Sequence, residues 1–276
     1  MNNEIPKSDK PIYCPLCANT EMSFYFTSQY NRQGYKNYAY SLYKCDKCFL
    51  ITIFPPPSNK IYPPSRDEEN QYSAAHDFPW NKILLNTIKK YKTSGEFIDI
   101  GCNAGYLVQA AQTEGFSSMG VEIDEVAAKE ALALKHNVLQ GDFLSMNFSK
   151  KFDVIVMNHV LEHIPDFSKV PEKLHEMLAD DGVIFIHVPH YYGLISTIMK
   201  NKWSTLAPFT HVWLFSATSM QKLFKNKFHR ITIKTNTATE PHGYGIDLKT
   251  NIKTAIIQIA NILSMGDEMR VILSKK

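Results

Sequence analysis

The pattern of apolar and polar positions changes character twice along this 276-residue chain. Residues 12–53 form a compact block in which cysteines and aromatic residues alternate with polar ones. Phe54-Pro55-Pro56-Pro57-Ser58 then interrupts any regular structure, because proline lacks the amide donor and fixes φ. Pro63-Pro64 and the polar run 65–71 extend that break, so 54–72 is read as a linker packed against the main domain. From Trp80 onward, Ile83, Leu84, Ile88 and Tyr91 recur on one helical face, with Gly95 as the stop. Short apolar runs then alternate with helical stretches. Strands are predicted at 97–100, 118–123, 152–157 and 183–188, and helices at 106–114, 125–135 and 170–178. Past residue 215 the pattern predicts a helix at 216–224, a strand at 228–234, an apolar helix at 252–263 and a closing strand at 268–274. Strands alternating with helices imply an α/β fold with a doubly wound, mostly parallel sheet, which the six strands above and one more ending at Gly141 make seven-stranded. The expected division is a small module at 1–54, a linker at 55–79 and the main domain at 80–276.

Composition narrows the class. The hydrophobic share of 44% is ordinary for a globular chain. No apolar run is long enough for a membrane span, and residues 1–10 lack the apolar core of a secretory leader. A cytoplasmic location is expected. A net charge of +3, with basic residues scattered among acids, does not favour a surface that tracks nucleic-acid phosphates. The oligomeric state is open, with a homodimer as one possibility.

Four of the five cysteines fall into two C-x-x-C knuckles, Cys14-Pro15-Leu16-Cys17 and Cys45-Asp46-Lys47-Cys48. Each knuckle places two thiolates on one tight turn, and the two together can close a tetrahedral Zn2+ site once a hairpin through residues 25–43 brings them together. Four sulfur ligands leave no open position, so the metal expected at Cys14, Cys17, Cys45 and Cys48 is structural. A block this small needs such a staple to fold. Cys102 stands apart and is read as a small packing residue.

Asp99-Ile100-Gly101-Cys102-Asn103-Ala104-Gly105 lies where the first strand of the main domain meets a helix, which is the ligand crevice of an open α/β sheet. Gly101 and Gly105 allow a sharp turn and a close approach of a ligand. Asn103 occupies a position where glycine is usual, and Asn tolerates left-handed φ. Glu122 follows about 20 residues later at the end of the second strand, where a carboxylate can accept both hydroxyls of a ribose. Gly141-Asp142-Phe143 follows the next helix. An acid there can accept from an adenine amino group, and Phe143 can pack on the ring.

These segments resemble the class I methyltransferase family. Residues 97–105 look like its first motif, 120–124 its second and 141–143 its third. Residues 152–166 (Phe152-Asp153-Val154-Ile155-Val156-Met157-Asn158-His159-Val160-Leu161-Glu162-His163-Ile164-Pro165-Asp166) resemble its fourth strand and following helix, and 178–189 its fifth strand. The resemblance spans roughly 80–235. It implies a Rossmann-like core with S-adenosylmethionine as cofactor, held by Asp99, Gly101, Cys102, Asn103, Gly105, Glu122, Ile123, Asp142, Phe143, Asn158 and His159. The order of zinc knuckles followed by this core is similar to the sugar methyltransferases that act on nucleotide-linked keto-sugars. That likeness implies a small-molecule acceptor: a sugar, nucleotide-sugar or surface-glycan precursor. Oxygen is the expected acceptor atom. Alternatives are carbon on a keto-sugar, a phenol- or quinone-type metabolite, and a scaffold that binds cofactor without catalysis.

Thr210-His211-Val212-Trp213-Leu214-Phe215-Ser216 looks like the segment that carries the catalytic histidine of the sugar enzymes, with His211 at the matching place. A histidine near pH 7 can take a proton from an acceptor hydroxyl. It can equally serve as a hydrogen-bonding residue of the fold. His159, Glu162 and His163 form an H-x-x-E-H set, which on one helical face could hold a divalent metal. The other reading, preferred here, has His159 bordering the cofactor and Glu162 with His163 fixing the local fold.

Overall fold

The structure is a computed structural model, and it describes residues 7–18, 20–32, 35–56, 79–203, 205–237 and 250–275. Most of the expected linker, 57–78, lies outside the described residues.

The chain forms two sheets. The first begins with a long antiparallel hairpin, β1 (Ser23–Arg32) and β2 (Tyr35–Lys44), followed by β3 (Ile51–Phe54). The hairpin brings the two cysteine knuckles together, as their spacing requires. After α1 (Pro79–Ile88) the second sheet starts with β4 (Gly95–Ile100), α2 (Tyr106–Thr113), β5 (Phe116–Glu122), α3 (Glu125–Ala133) and β6 (Val138–Gln140). It continues through β7 (Phe152–Asn158), α4 (Val170–Met177) and β8 (Leu178–Pro189). Next come the short α5 (Leu194–Met199), β9 (Trp213–Leu214) and α6 (Ala217–Phe224). The chain closes with β10 (Arg230–Asn236), α7 (Thr250–Ile262) and β11 (Glu268–Ser274).

The second sheet has seven strands in the order β10-β11-β8-β7-β4-β5-β6. It is parallel from β8 to β6, with β11 antiparallel to both β8 and β10. The four central strands are the apolar runs of the sequence. Phe97, Ile98 and Ile100 of β4, and Val154 to Met157 of β7, are all buried, as expected where helices cover both faces of a parallel sheet. The order reverses at β4, so the crevice at the carboxyl end of β4 and β5 is the ligand position of this architecture.

Two local details fix that crevice. Asp124 caps α3, its side chain accepting from the Ala127 amide at 2.8 Å. Ala127, Ala128 and Ala131 then let α3 lie close on the sheet. Gly120 is glycine for a packing reason: a Cβ there would sit 2.4 Å from the Cys102 sulfur.

The four-stranded sheet does not stop at the end of the N-terminal module. β3 pairs with β9, Ile51 opposite Leu214 and Thr52 opposite Trp213. Cys14, Cys17, Cys45, Cys48 and Leu50 share one continuous apolar core with Phe215, Met220 and Phe224. The segment that carries His211 is therefore held by the module's own sheet. Periodicity gave no sign of β9, a strand of two residues.

Candidate active site

At the tip of β4 the backbone turns through three left-handed residues: Gly101 (φ 70°), Asn103 (φ 53°) and Gly105 (φ 78°). Asn103 stabilises its own turn, with its side-chain oxygen accepting from the Ala104 amide at 2.8 Å. A Cβ at Gly101 would lie 2.4 Å from a Val160 methyl, so no side chain fits there. Glu122, buried at the end of β5, accepts from the Asn103 amide at 2.7 Å and the Asp124 amide at 2.8 Å. Both carboxylate oxygens are thus aimed by backbone.

Above this turn lies a cavity of about 680 Å3. Of the residues expected to hold a cofactor, Gly101, Asn103, Glu122, Ile123, Asp142, Phe143 and His159 line it. Asp142 and Phe143 follow β6 directly, and the Asp142 carboxylate accepts from the Leu144 amide at 3.0 Å. Asp99, Cys102, Gly105 and Asn158 are not among the lining residues. Asp99 is buried, and burial together with the Glu122 charge pushes its carboxyl up to about 8. The Cys102 side chain turns into a small cluster with Val108, Ala131 and Val138. Asn158 points to His187, its side-chain oxygen 3.0 Å from His187 Nδ1.

Two histidines, His159 and His163, form another part of the cavity wall. His159, at φ 55°, lines it with 36% of its side chain exposed. Its Nδ1 lies 3.1 Å from Glu162 Oε1 and its Nε2 3.5 Å from Glu268 Oε2. Burial works against a charge on His159, but the hydrogen bond and charge of Glu162, with Glu268 behind, outweigh it and raise the ring to about 9. Burial likewise penalises the Glu162 carboxylate, and the surrounding imidazoles, His159 first, overcome that and hold it at about 2. His163 lines the cavity beside Thr210. Its Nδ1 donates to the Thr210 carbonyl at 2.8 Å, which leaves Nε2 as the basic nitrogen.

The structure corrects the position expected for His211. Its side chain is buried and does not line the cavity; it packs behind His163, ring centroids 4.8 Å apart. Burial drives its imidazole down to about 3, the nearby histidines adding to the effect and Glu162 opposing it. The cause is the backbone of the next residue, Val212. Its amide donates to the Glu162 carbonyl at 2.9 Å and its carbonyl accepts from the Ile53 amide at 3.4 Å, which clamps the segment inward. The residues that sequence reasoning did not place here, His163 and Thr210, are half-buried and line the cavity. H-x-x-E-H contained His163, but the sequence does not say which of its histidines faces outward.

A second group of polar atoms lies on the N-terminal module. Cys14, Cys17, Cys45 and Cys48 are all buried and unbridged, with their four sulfurs within 4.8 Å of one another. The Cys14 and Cys48 sulfurs are 3.5 Å apart, far beyond a disulfide bond and close to the edge of a tetrahedron of Zn–S bonds of about 2.3 Å. Lys222 of α6 reaches Cys17 Sγ at 3.0 Å, and Ser216 donates to the Cys48 carbonyl at 2.7 Å. The donor set fits Zn2+, and its outer partners come from the main domain. Among the described residues, no helix is long and apolar enough to cross a membrane.

With this geometry in place, comparison with known proteins gives the class. The model of a family described as "Methyltransferase domain" matches residues 72–227, more than half of the chain. The chain therefore belongs to that methyltransferase family, whose methyl donor is S-adenosylmethionine. Among curated relatives, the ubiquinone biosynthesis O-methyltransferase of Pseudomonas syringae pv. tomato is 26% identical over 129 residues, covering 43% of this chain and 55% of that protein. The chain thus spans about half the length of the curated relatives it matches. Among solved structures, a SAM-dependent methyltransferase from Archaeoglobus fulgidus superposes with a TM-score of 0.54 at 19% identity, covering 71% of this chain and 92% of that one. Phosphoethanolamine N-methyltransferase 2 of Haemonchus contortus, in complex with S-adenosyl-L-methionine, gives 0.51 at 18% identity, covering 72% and 52%. At these identities the solved structures speak for the fold.

Proposed function

We propose that the chain transfers the methyl group of S-adenosylmethionine to a hydroxyl oxygen of a small metabolite, and that its N-terminal module is held by a structural Zn2+ on Cys14, Cys17, Cys45 and Cys48. The observation that carries the first part is one cavity lined both by the Gly101–Asn103–Glu122 turn and by His159, His163 and Thr210. Bound S-adenosylmethionine supplies an electrophilic methyl on a sulfonium. Glu122 takes the ribose hydroxyls, because both its oxygens are fixed by backbone amides and keep free lone pairs on the cavity side. Ile123 and Phe143 flank the purine, and Asp142 accepts from its amino group. His163 Nε2 accepts the proton of the acceptor hydroxyl as the oxygen forms its bond to the methyl carbon and the carbon–sulfur bond breaks. The reaction needs donor carbon and acceptor oxygen about 3 Å apart.

Oxygen is favoured over carbon or nitrogen by the curated O-methyltransferase relatives. Those relatives also favour a phenol-type acceptor, whereas the zinc knuckles ahead of the core favour a sugar-linked one. Neither the fold nor the site carries a preference between them. A methyl-donor assay with the full chain, run on phenolic and nucleotide-sugar panels, tests the reading. Methyl transfer to an oxygen acceptor that falls in His163→Gln, with S-adenosylmethionine binding unchanged, supports it. Full activity in that variant removes His163 from the mechanism. No binding of S-adenosylmethionine would overturn the reading.

A further inference from the structure

At His159, three side chains from separate parts of the sheet converge. His159 follows β7 directly, His187 is on β8 and Glu268 opens β11. One ligand atom from each lies within 4.8 Å of the other two. Glu268 Oε2 is 3.3 Å from His187 Nε2 and 3.5 Å from His159 Nε2. Nothing in the methyl-transfer reading uses His187 or Glu268.

The hydrogen bonds around these rings determine which atoms face the centre. Asn158 Oδ1 lies 3.0 Å from His187 Nδ1, so Nδ1 carries the proton and Nε2 presents a lone pair. Glu162 Oε1 lies 3.1 Å from His159 Nδ1, so that nitrogen also donates outward, and in the neutral ring Nε2 presents a lone pair. Trp80 stacks on the His187 ring at 4.7 Å and fixes its plane. Among the described residues, His187 Nε2 and Glu268 Oε2 are both buried with no hydrogen-bond partner. Two buried acceptors facing each other at 3.3 Å repel unless a positive charge lies between them. A proton can fill that role for one pair. A cation fills it for all three atoms at once. Ligand atoms bound at about 2.1 Å to one ion lie roughly 3.0–3.4 Å apart, close to the two separations seen here.

We propose that His159, His187 and Glu268 form a binding site for a divalent first-row transition ion, separate from the cysteine cluster. Two imidazoles and one carboxylate suit Zn2+, Fe2+ or Mn2+ rather than Ca2+ or Mg2+. The outer partners have the form such sites require: each imidazole gives its other N–H to an oxygen acceptor, Asn158 for His187 and Glu162 for His159. Arg270, two residues along β11 from Glu268, has its guanidinium over the Trp80 ring at 4.6 Å, paired with the indole. Three protein ligands leave the shell incomplete, and of the three only His159 borders the cavity. The missing ligand, a water or an acceptor oxygen, enters from that side. The adjacent Glu162–His163–His211 group also has ligand atoms within 4.8 Å of one another, and the His211 variant below distinguishes the two groups.

Co2+ binding to the reduced full-length chain, followed by absorption and metal analysis, tests this. The cysteine site announces itself by thiolate-to-metal charge-transfer bands. The proposed site adds a second Co2+ with ligand-field bands and no thiolate charge transfer. Glu268→Gln and His187→Asn each remove a direct ligand, so each weakens that second Co2+ by more than the roughly 10–100-fold typical of losing an outer partner. The cysteine bands remain and report that the chain is folded. Binding of a single Co2+ by the unsubstituted protein overturns the proposal without recourse to any variant. So does a second Co2+ that keeps its affinity in Glu268→Gln, or one removed instead by His211→Gln. S-adenosylmethionine affinity, measured by calorimetry on the same samples, separates this outcome from failure of the methyltransferase reading.

Discussion

The two ends of the cavity are built by different means. The cofactor end is a backbone device: three left-handed residues within five positions, and a carboxylate held by two amides. The histidine end is a side-chain device. Its groups come from β7 and the turn after it, from β8, from the segment before β9 and from β11, and they hold one another by contacts between residues up to 109 positions apart, as between His159 and Glu268. A backbone device depends on short-range residue choice. A side-chain device depends on the whole sheet closing in register, and on β3 pairing with β9.

That difference governs how each end should respond to perturbation. Stripping metal from the cysteine module should have the largest effect, since structural Zn2+ sites contribute on the order of 10 kcal/mol to folding of small modules. A strong chelator, or Cys45→Ser, is expected to melt the four-stranded sheet, seen as a separate early transition in thermal unfolding. With β9 unsupported, methyl transfer should be lost while S-adenosylmethionine still binds. Loss of both together would mean the two ends are not separable. Next in size is His163→Gln, expected to lower kcat by roughly 10²–10⁴ with cofactor affinity unchanged, measured by steady-state kinetics and calorimetry. His211→Gln should lower kcat far less, because that ring is buried behind His163. At the cofactor end, Gly101→Ala combines a left-handed φ with a 2.4 Å approach to Val160. The φ term alone costs about 1–2 kcal/mol, so a lower melting temperature and weaker cofactor binding are expected. Asn103→Gly should be the mildest, within about 1 kcal/mol in either quantity, since glycine adopts the same φ freely and only the bond to the Ala104 amide is lost.

The same contrast explains what was legible in the sequence. Gly101, Asn103 and Glu122 could be placed from residue order alone, because a strand tip, a turn and the next strand tip are near neighbours in the chain. The sheet was legible for a similar reason: mostly apolar runs such as 97–100 and 152–157, each broken by a single Asp, have one natural home in an α/β fold. The cysteine pairs announced their own meeting. His211 was not legible. Its segment has the right residues for a base facing a substrate, but the hydrogen bonds of Val212 to Glu162 and Ile53 turn it inward. His187 and Glu268 were invisible for a different reason. Each sits inside or at the edge of an apolar strand, where a lone polar residue carries no periodic signal, and their convergence depends on β11 inserting beside β8.

Exposed apolar residues follow this division as well. Ile123 and Val126 are 61% and 52% exposed, yet both line the cavity. Their exposure marks the wall left open for a purine, which is where the cofactor reading places it.

The catalytic role given to His163 presumes that the β4–β5 crevice holds an adenosyl group. Calorimetric titration of S-adenosylmethionine into the full chain and into Glu122→Ala probes that directly. One site is expected on the unsubstituted protein. In the variant, loss of charge-assisted hydrogen bonds of about 1.5–3 kcal/mol weakens binding roughly 10–150-fold. Equal affinity in the two proteins, or no heat of binding in either, would contradict it.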